Sequence, residues 1–101
     1  MNYAQNFIIQ EITRLDGTPR MDDRYPQRRG CLVKIIGEVQ PGRPLFLSYL
    51  ADANGNPKEG MLVTSNVDRV GSLYDDQHIE ACIMTLNSVY HLKGTECVQT
   101  M

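Results

Sequence analysis

At 101 residues the chain is the size of one domain, and its 42% apolar and 22% charged side chains belong to a folded globule rather than a disordered segment. Ten basic against twelve acidic residues leave a net charge of −2, which argues against a dedicated nucleic-acid binder, because such proteins carry a basic excess. No apolar run approaches the roughly 20 residues that span a bilayer, so an integral membrane protein is not expected.

The first residues, Met1 to Asn6, show neither the basic nor the apolar region of a secretory signal. Cys31, Cys82 and Cys97 are odd in number and widely spaced, unlike a disulfide framework. Both features point to a cytoplasmic chain with reduced thiols that pack as small hydrophobes. Charge is uneven along it: residues 1–50 carry net +2 and residues 51–101 net −4.

In chain order, Tyr3 to Leu15 is the ambiguous segment. Ile8, Ile12 and Leu15 have helical spacing, yet Phe7, Ile8, Ile9 and Thr13 favour a strand, which is the preferred reading. Asp16 to Gly30 contains Asp16-Gly17, Pro19 and Pro26 and almost no aliphatic residue, so it reads as a long loop, and loops of that length tend to be functional or disordered. Cys31 to Val39 is apolar and β-branched, and Pro41-Gly42 makes a turn. Leu45 to Leu50 alternates, with Leu45, Leu47 and Tyr49 on one face and Phe46, Ser48 and Leu50 on the other. Asp52 to Pro57 carries Asn54-Gly55, a hairpin signal, and Met61 to Thr64 returns as the partner strand. Ser65 to Val70 reads as a bend or short continuation, and Gly71 to Asp76 as a turn. His78 to Leu86 alternates again, Asn87-Ser88 turns, and Val89 to Lys93 is another strand, with a short strand or tail from Gly94.

Short strands without a long amphipathic helix predict a mainly β fold. The expected form is a small antiparallel SH3-like barrel, partly open, of about five strands with an extra N-terminal segment; an OB-fold is the alternative. The chain reads as a single domain, 1–101, with the segment and Arg-rich loop in 1–30 and the barrel in 31–101. Phe46, Tyr49 and Tyr90 are expected in the core or at its rim.

Candidate chemistry is sparse. Asp52, Asn54 and Asn56 have the spacing that opens a calcium loop, but Pro57 and Val63 stand where a glycine and a bidentate glutamate are required. His78, Cys82, His91 and Cys97 lack the ligand spacing of a zinc site. Thr64, Ser65, Asp68 and His91 form no motif that sets a base against a nucleophile. No metal, cofactor or catalytic residue is expected, and the protein reads as a non-enzyme.

The informative feature is the arginine cluster of Arg20, Arg24, Arg28 and Arg29 with Tyr25. Asp22 and Asp23 cancel part of its field, and no aromatic platform accompanies it, which disfavours nucleic acid. Arg and Tyr are enriched at interface hot spots, so Arg24, Tyr25, Arg28 and Arg29 are the expected partner-binding residues. The rival contact surface is acidic: Asp52, Glu59, Asp68, Asp75, Asp76 and Glu80.

Three segments, residues 23–30 (Asp23-Arg24-Tyr25-Pro26-Gln27-Arg28-Arg29-Gly30), 64–67 (Thr64-Ser65-Asn66-Val67) and 85–92 (Thr85-Leu86-Asn87-Ser88-Val89-Tyr90-His91-Leu92), resemble a group of small uncharacterised bacterial proteins found often in phages and prophages. The likeness runs over roughly residues 23–93 and brings no catalytic residues. It implies a cytoplasmic accessory protein of a mobile element, in the host cytoplasm if phage-encoded. The expected function is contact with a host protein, as an inhibitor or adaptor and in one form against antiviral defence. The alternatives are a small-ligand or nucleotide-phosphate module closed by the arginine loop, and a barrel that self-assembles through its edge strands.

Overall fold

The structure is a computed structural model that describes residues 6–22, 24–74 and 79–95. Six strands follow one another: β1 (Asn6–Thr13), β2 (Leu32–Ile35), β3 (Pro44–Ala51), β4 (Met61–Tyr74), β5 (Ile79–Thr85) and β6 (Val89–Gly94). A one-turn helix, α1 (Tyr25–Arg28), lies between β1 and β2. All neighbouring pairs are antiparallel, and β1 pairs with both β2 and β6, so the sheet is a closed barrel in sequence order.

The period-two pattern decides what fills it. Phe7, Ile9, Val33, Leu45, Leu47, Ile83 and Leu92 are essentially without exposure and occupy the interior. A barrel of so few strands is narrow enough to be packed by side chains rather than hollow. Closure depends on β1, which pairs on both sides, and on β4, which divides its length between two neighbours. β1 meets β2 at Asn6–Ile8 and β6 at Phe7–Thr13. β4 meets β3 through Met61–Asn66 and β5 through Val67–Tyr74. Bulges accompany these changes of partner, and a bulge adds a residue and bends the strand. The shift between Ile9 and Glu11 also swaps parity, so Phe7 and Ile9 point inward and then Ile12 does.

The expected small antiparallel barrel is therefore the fold, and the N-terminal segment is its sixth strand. The ring is closed rather than partly open because β1 pairs with both β2 and β6, while each half of β4 pairs on one side alone. Two further expectations are corrected. Residues 65–70 take the continuation offered for them, and β4 then runs on to Tyr74 where a turn was expected: Gly71 stays in register with Cys82 and lacks the positive φ that a turn glycine supplies. Phe46 faces outward, since Leu45 and Leu47 on either side of it take the inward positions. Of the cysteines, Cys31 is a buried core residue, whereas Cys82 is exposed on β5; Cys97 lies outside the described residues.

The long loop is folded and tied to the barrel. Arg20 N–H donates to the Ile12 carbonyl at 3.0 Å, and Gly30 N–H to the Ile9 carbonyl at 2.7 Å. The Cys31 thiol donates to the Gln27 carbonyl at 3.5 Å, holding α1 against the core. Opposite, the hairpin predicted from Asn54-Gly55 forms, with Asp52 Oδ1 accepting from the Asn54 and Asn56 N–H groups.

Candidate binding cleft

The loop sorts its arginines by partner. Arg20 is the fastener: its guanidinium donates to Asp22 at 3.0 Å, to the Asn87 carbonyl at 3.0 Å and to Ser88 Oγ at 2.8 Å. That fixes the loop to the turn joining β5 and β6, where buried Thr85 Oγ1 donates to the Ser88 carbonyl and accepts from Ser88 N–H. Tyr25 is half-buried, with Arg20 and Arg28 both over its ring, 4.2 and 4.7 Å from the centroid. Arg28 is half-buried too and donates to the Tyr90 hydroxyl at 3.2 Å.

Beside α1 opens a cleft of about 310 Å³, lined by Arg24, Gln27 and Arg28 on one side and by Tyr49, Lys58, Glu59 and Met61 from β3, β4 and their connecting hairpin on the other. Lys58 reaches over the Tyr49 ring, 4.7 Å from its centroid. Arg14, Arg20 and Arg69 each have a carboxylate within salt-bridge distance, but among the described residues Arg24, Arg28 and Lys58 have none. With Arg24, Arg28 and Lys58 against Glu59 in its lining, the cleft keeps a positive excess on a chain that is acidic overall.

Two tyrosines adjoin Arg28, Tyr49 in the lining of the cleft and Tyr90 outside it. Burial pushes the Tyr49 hydroxyl up, with the Arg28 charge opposing. Burial pushes Tyr90 further, up to about 12, again against the pull of Arg28. The usual tyrosine value is near 10, so the fold holds Tyr90 protonated where the unfolded chain ionises. Its contribution to stability is complete below about pH 10 and is lost as pH climbs towards 12. Over that window the loss is about 2–3 kcal/mol. Urea unfolding at pH 9 and pH 12 measures it together with the shares of Tyr49, Cys31 and Cys82, which burial also raises, and Tyr90→Phe is expected to reduce the difference. An unchanged difference in the variant would show that Tyr90 is not the group responsible.

Of the four basic-loop residues singled out from sequence, Arg24 and Arg28 meet at the cleft. Tyr25 stands behind them as a packing platform. Arg29 is exposed and lines a smaller groove of about 100 Å³ with Ile12, Arg20 and Met21. The acidic candidates are spread over several elements. Asp52 caps the β3–β4 hairpin, its carboxyl lowered chiefly by the Asn56 N–H; Glu59 lines the cleft; Asp68 pairs with Arg69; Glu80 sits on β5 in register with Lys93. Asp75 and Asp76 lie outside the described residues, as do Asp23 and His78. Sequence reasoning missed Lys58 and Tyr49 as neighbours of the arginines, since only the fold brings β3 and its hairpin beside α1, and it passed over Gln27, which stands on α1 next to Arg28. Cys82 Sγ lies 3.9 Å from His91 Nδ1 on the outer surface, and the described residues contain no group of three metal-ligating side chains.

A second surface adjoins the cleft. Ile36 N–H donates to the Phe46 carbonyl, Phe46 faces Val63 across β3 and β4, and Ser48 faces Met61. Phe46, Met61 and Val63 are 38%, 53% and 52% exposed, forming with Ile36 an apolar wall on the outside of the barrel. Met61 belongs to both wall and cleft.

No protein-family model, curated protein or solved structure matches this chain.

Proposed function

We propose that this is a non-enzymatic binding protein that acts by contact with a partner protein. The supporting observation is the apolar wall of Ile36, Phe46, Val63 and Met61, which runs directly into the cationic cleft of Arg24, Arg28 and Lys58. Contiguous exposed apolar surface on a small soluble barrel is costly unless something covers it, and a rim of one charge selects what does. The occupant that fits is a protein surface with apolar side chains flanked by carboxylates. Arg24 and Arg29 are the exposed anchors, while Tyr25 and Arg28 shape the rim. The resemblance to phage and prophage proteins makes a host protein the partner, with the chain as inhibitor or adaptor in the host cytoplasm.

Immobilised chain tests this directly against a Phe46→Ser/Val63→Thr double variant, whose changes lie on the outer face. The wild type is expected to retain one bacterial protein at near-equal stoichiometry. The variant, still melting in one cooperative transition, should lose about tenfold or more of it. Equal recovery by both proteins, or recovery of the chain alone, would overturn the reading.

A further inference from the structure

We propose that the cleft beside α1 is also a phosphate site, taking the phosphate monoester of a small molecule such as a nucleoside monophosphate. Three observations carry the proposal. First, Arg24, Arg28 and Lys58 converge on one cavity and none has a carboxylate within salt-bridge distance among the described residues, whereas Arg14, Arg20 and Arg69 do. Glu59 is the single carboxylate of the lining, so the cavity keeps a positive excess. Second, Arg28 is held before any ligand arrives. Its guanidinium stacks on Tyr25, gives one N–H to Tyr90 and engages the Tyr49 hydroxyl, and a five-donor fork keeps N–H groups to spare. A preorganised guanidinium suits tetrahedral oxyanions, and Lys58 and Arg24 add charge to the same lining. Third, the volume of about 310 Å³ is at the small end of ligand pockets, and Met61 and Leu62 offer apolar surface to the organic part of such a ligand.

Phosphate is distinguished from other anions by its titration. A monoester gains its second charge near pH 6, while sulfate and carboxylates keep theirs unchanged from pH 5.5 to 7.5.

Calorimetric titration of the full chain at low ionic strength, with adenosine and uridine monophosphates, the parent nucleosides, sulfate, an acidic peptide and a phosphoserine peptide, tests the proposal. The monophosphates are expected to bind about tenfold or more tighter than the nucleosides, and to tighten from pH 5.5 to 7.5. Arg24→Ala/Lys58→Ala should weaken them about tenfold or more at an unchanged melting temperature, and Arg14→Ala should leave them alone. Absence of binding at millimolar monophosphate, indifference to the double variant, or equal binding of sulfate without pH dependence would overturn it. Binding of the phosphoserine peptide alone would overturn the small-molecule source. Phe46→Ser/Val63→Thr should bind monophosphates as the wild type does, so this site and the apolar wall stand or fall separately.

Discussion

Replacing Phe7 by alanine should destabilise the barrel by about 3–5 kcal/mol, the range for truncating a fully buried aromatic ring. Phe7 has no exposure, and it stands at the closing seam, opposite Val33 of β2 on one side and Gly94 of β6 on the other. The loss is therefore twofold: apolar contact inside the barrel, and a void at the point where the ring of strands is joined. Domains of this size have about 5–15 kcal/mol to lose, and each kcal/mol moves the melting temperature by roughly 4–8 °C. A fall of roughly 15–30 °C is the expected result by calorimetry. Phe46→Ala, on the outer face, is the matched control and should cost under about 1 kcal/mol. Equal costs for the two variants would contradict the inside–outside assignment of β1 and β3.

Gly30→Val is expected to cost about 3 kcal/mol for a different reason. Gly30 has φ +85°, a left-handed conformation that costs a side-chain-bearing residue roughly 1–2 kcal/mol and a β-branched one more. A Cβ built there would also come within 2.9 Å of the Ala53 Cβ. The backbone has little freedom to evade the clash, because Gly30 N–H and the Cys31 carbonyl bond the two polar groups of Ile9 at 2.7 and 2.9 Å. Gly55 has the same φ with nothing within 4 Å of its virtual Cβ, so Gly55→Ala should show the conformational cost alone, about 1 kcal/mol. Adding Ala53→Gly to Gly30→Val should restore part of the stability by removing the clash. Urea unfolding of the three variants separates the contributions, and a Gly30→Val protein within 0.5 kcal/mol of wild type would refute both.

Alternation and turn chemistry made most of this fold legible in the sequence. Leu45, Leu47, Ala81 and Ile83 are inward as their spacing predicts, and Asn54-Gly55 turns the hairpin. The segment read with difficulty was β1, because its bulge moves the inward set from Phe7 and Ile9 to Ile12 and so mixes the two periodicities. Gly71 misled for a related reason: glycine signals a turn by default, yet here it serves a long strand shared between two neighbours. The arginines of the candidate site could be named from the loop's composition, but not their division of labour. Arg20 and Arg28 differ from Arg24 only in what stands beside them, and Ser88, Tyr90 and Lys58 are 30 or more residues away in the chain.

The pairing of β1 with β6 sets Thr13 against Val89 and Phe7 against Gly94, across most of the described chain. A contact between such distant residues carries a large loop-closure entropy unless the intervening hairpins have already shortened the path. The meander from β2 to β6 can assemble by successive neighbouring hairpins, whereas the seam can join only after the last strand has left the ribosome. Until then the growing chain exposes two unpaired strand borders at once, and the interval between synthesis of β1 and of β6 is its period of greatest exposure to aggregation and proteolysis.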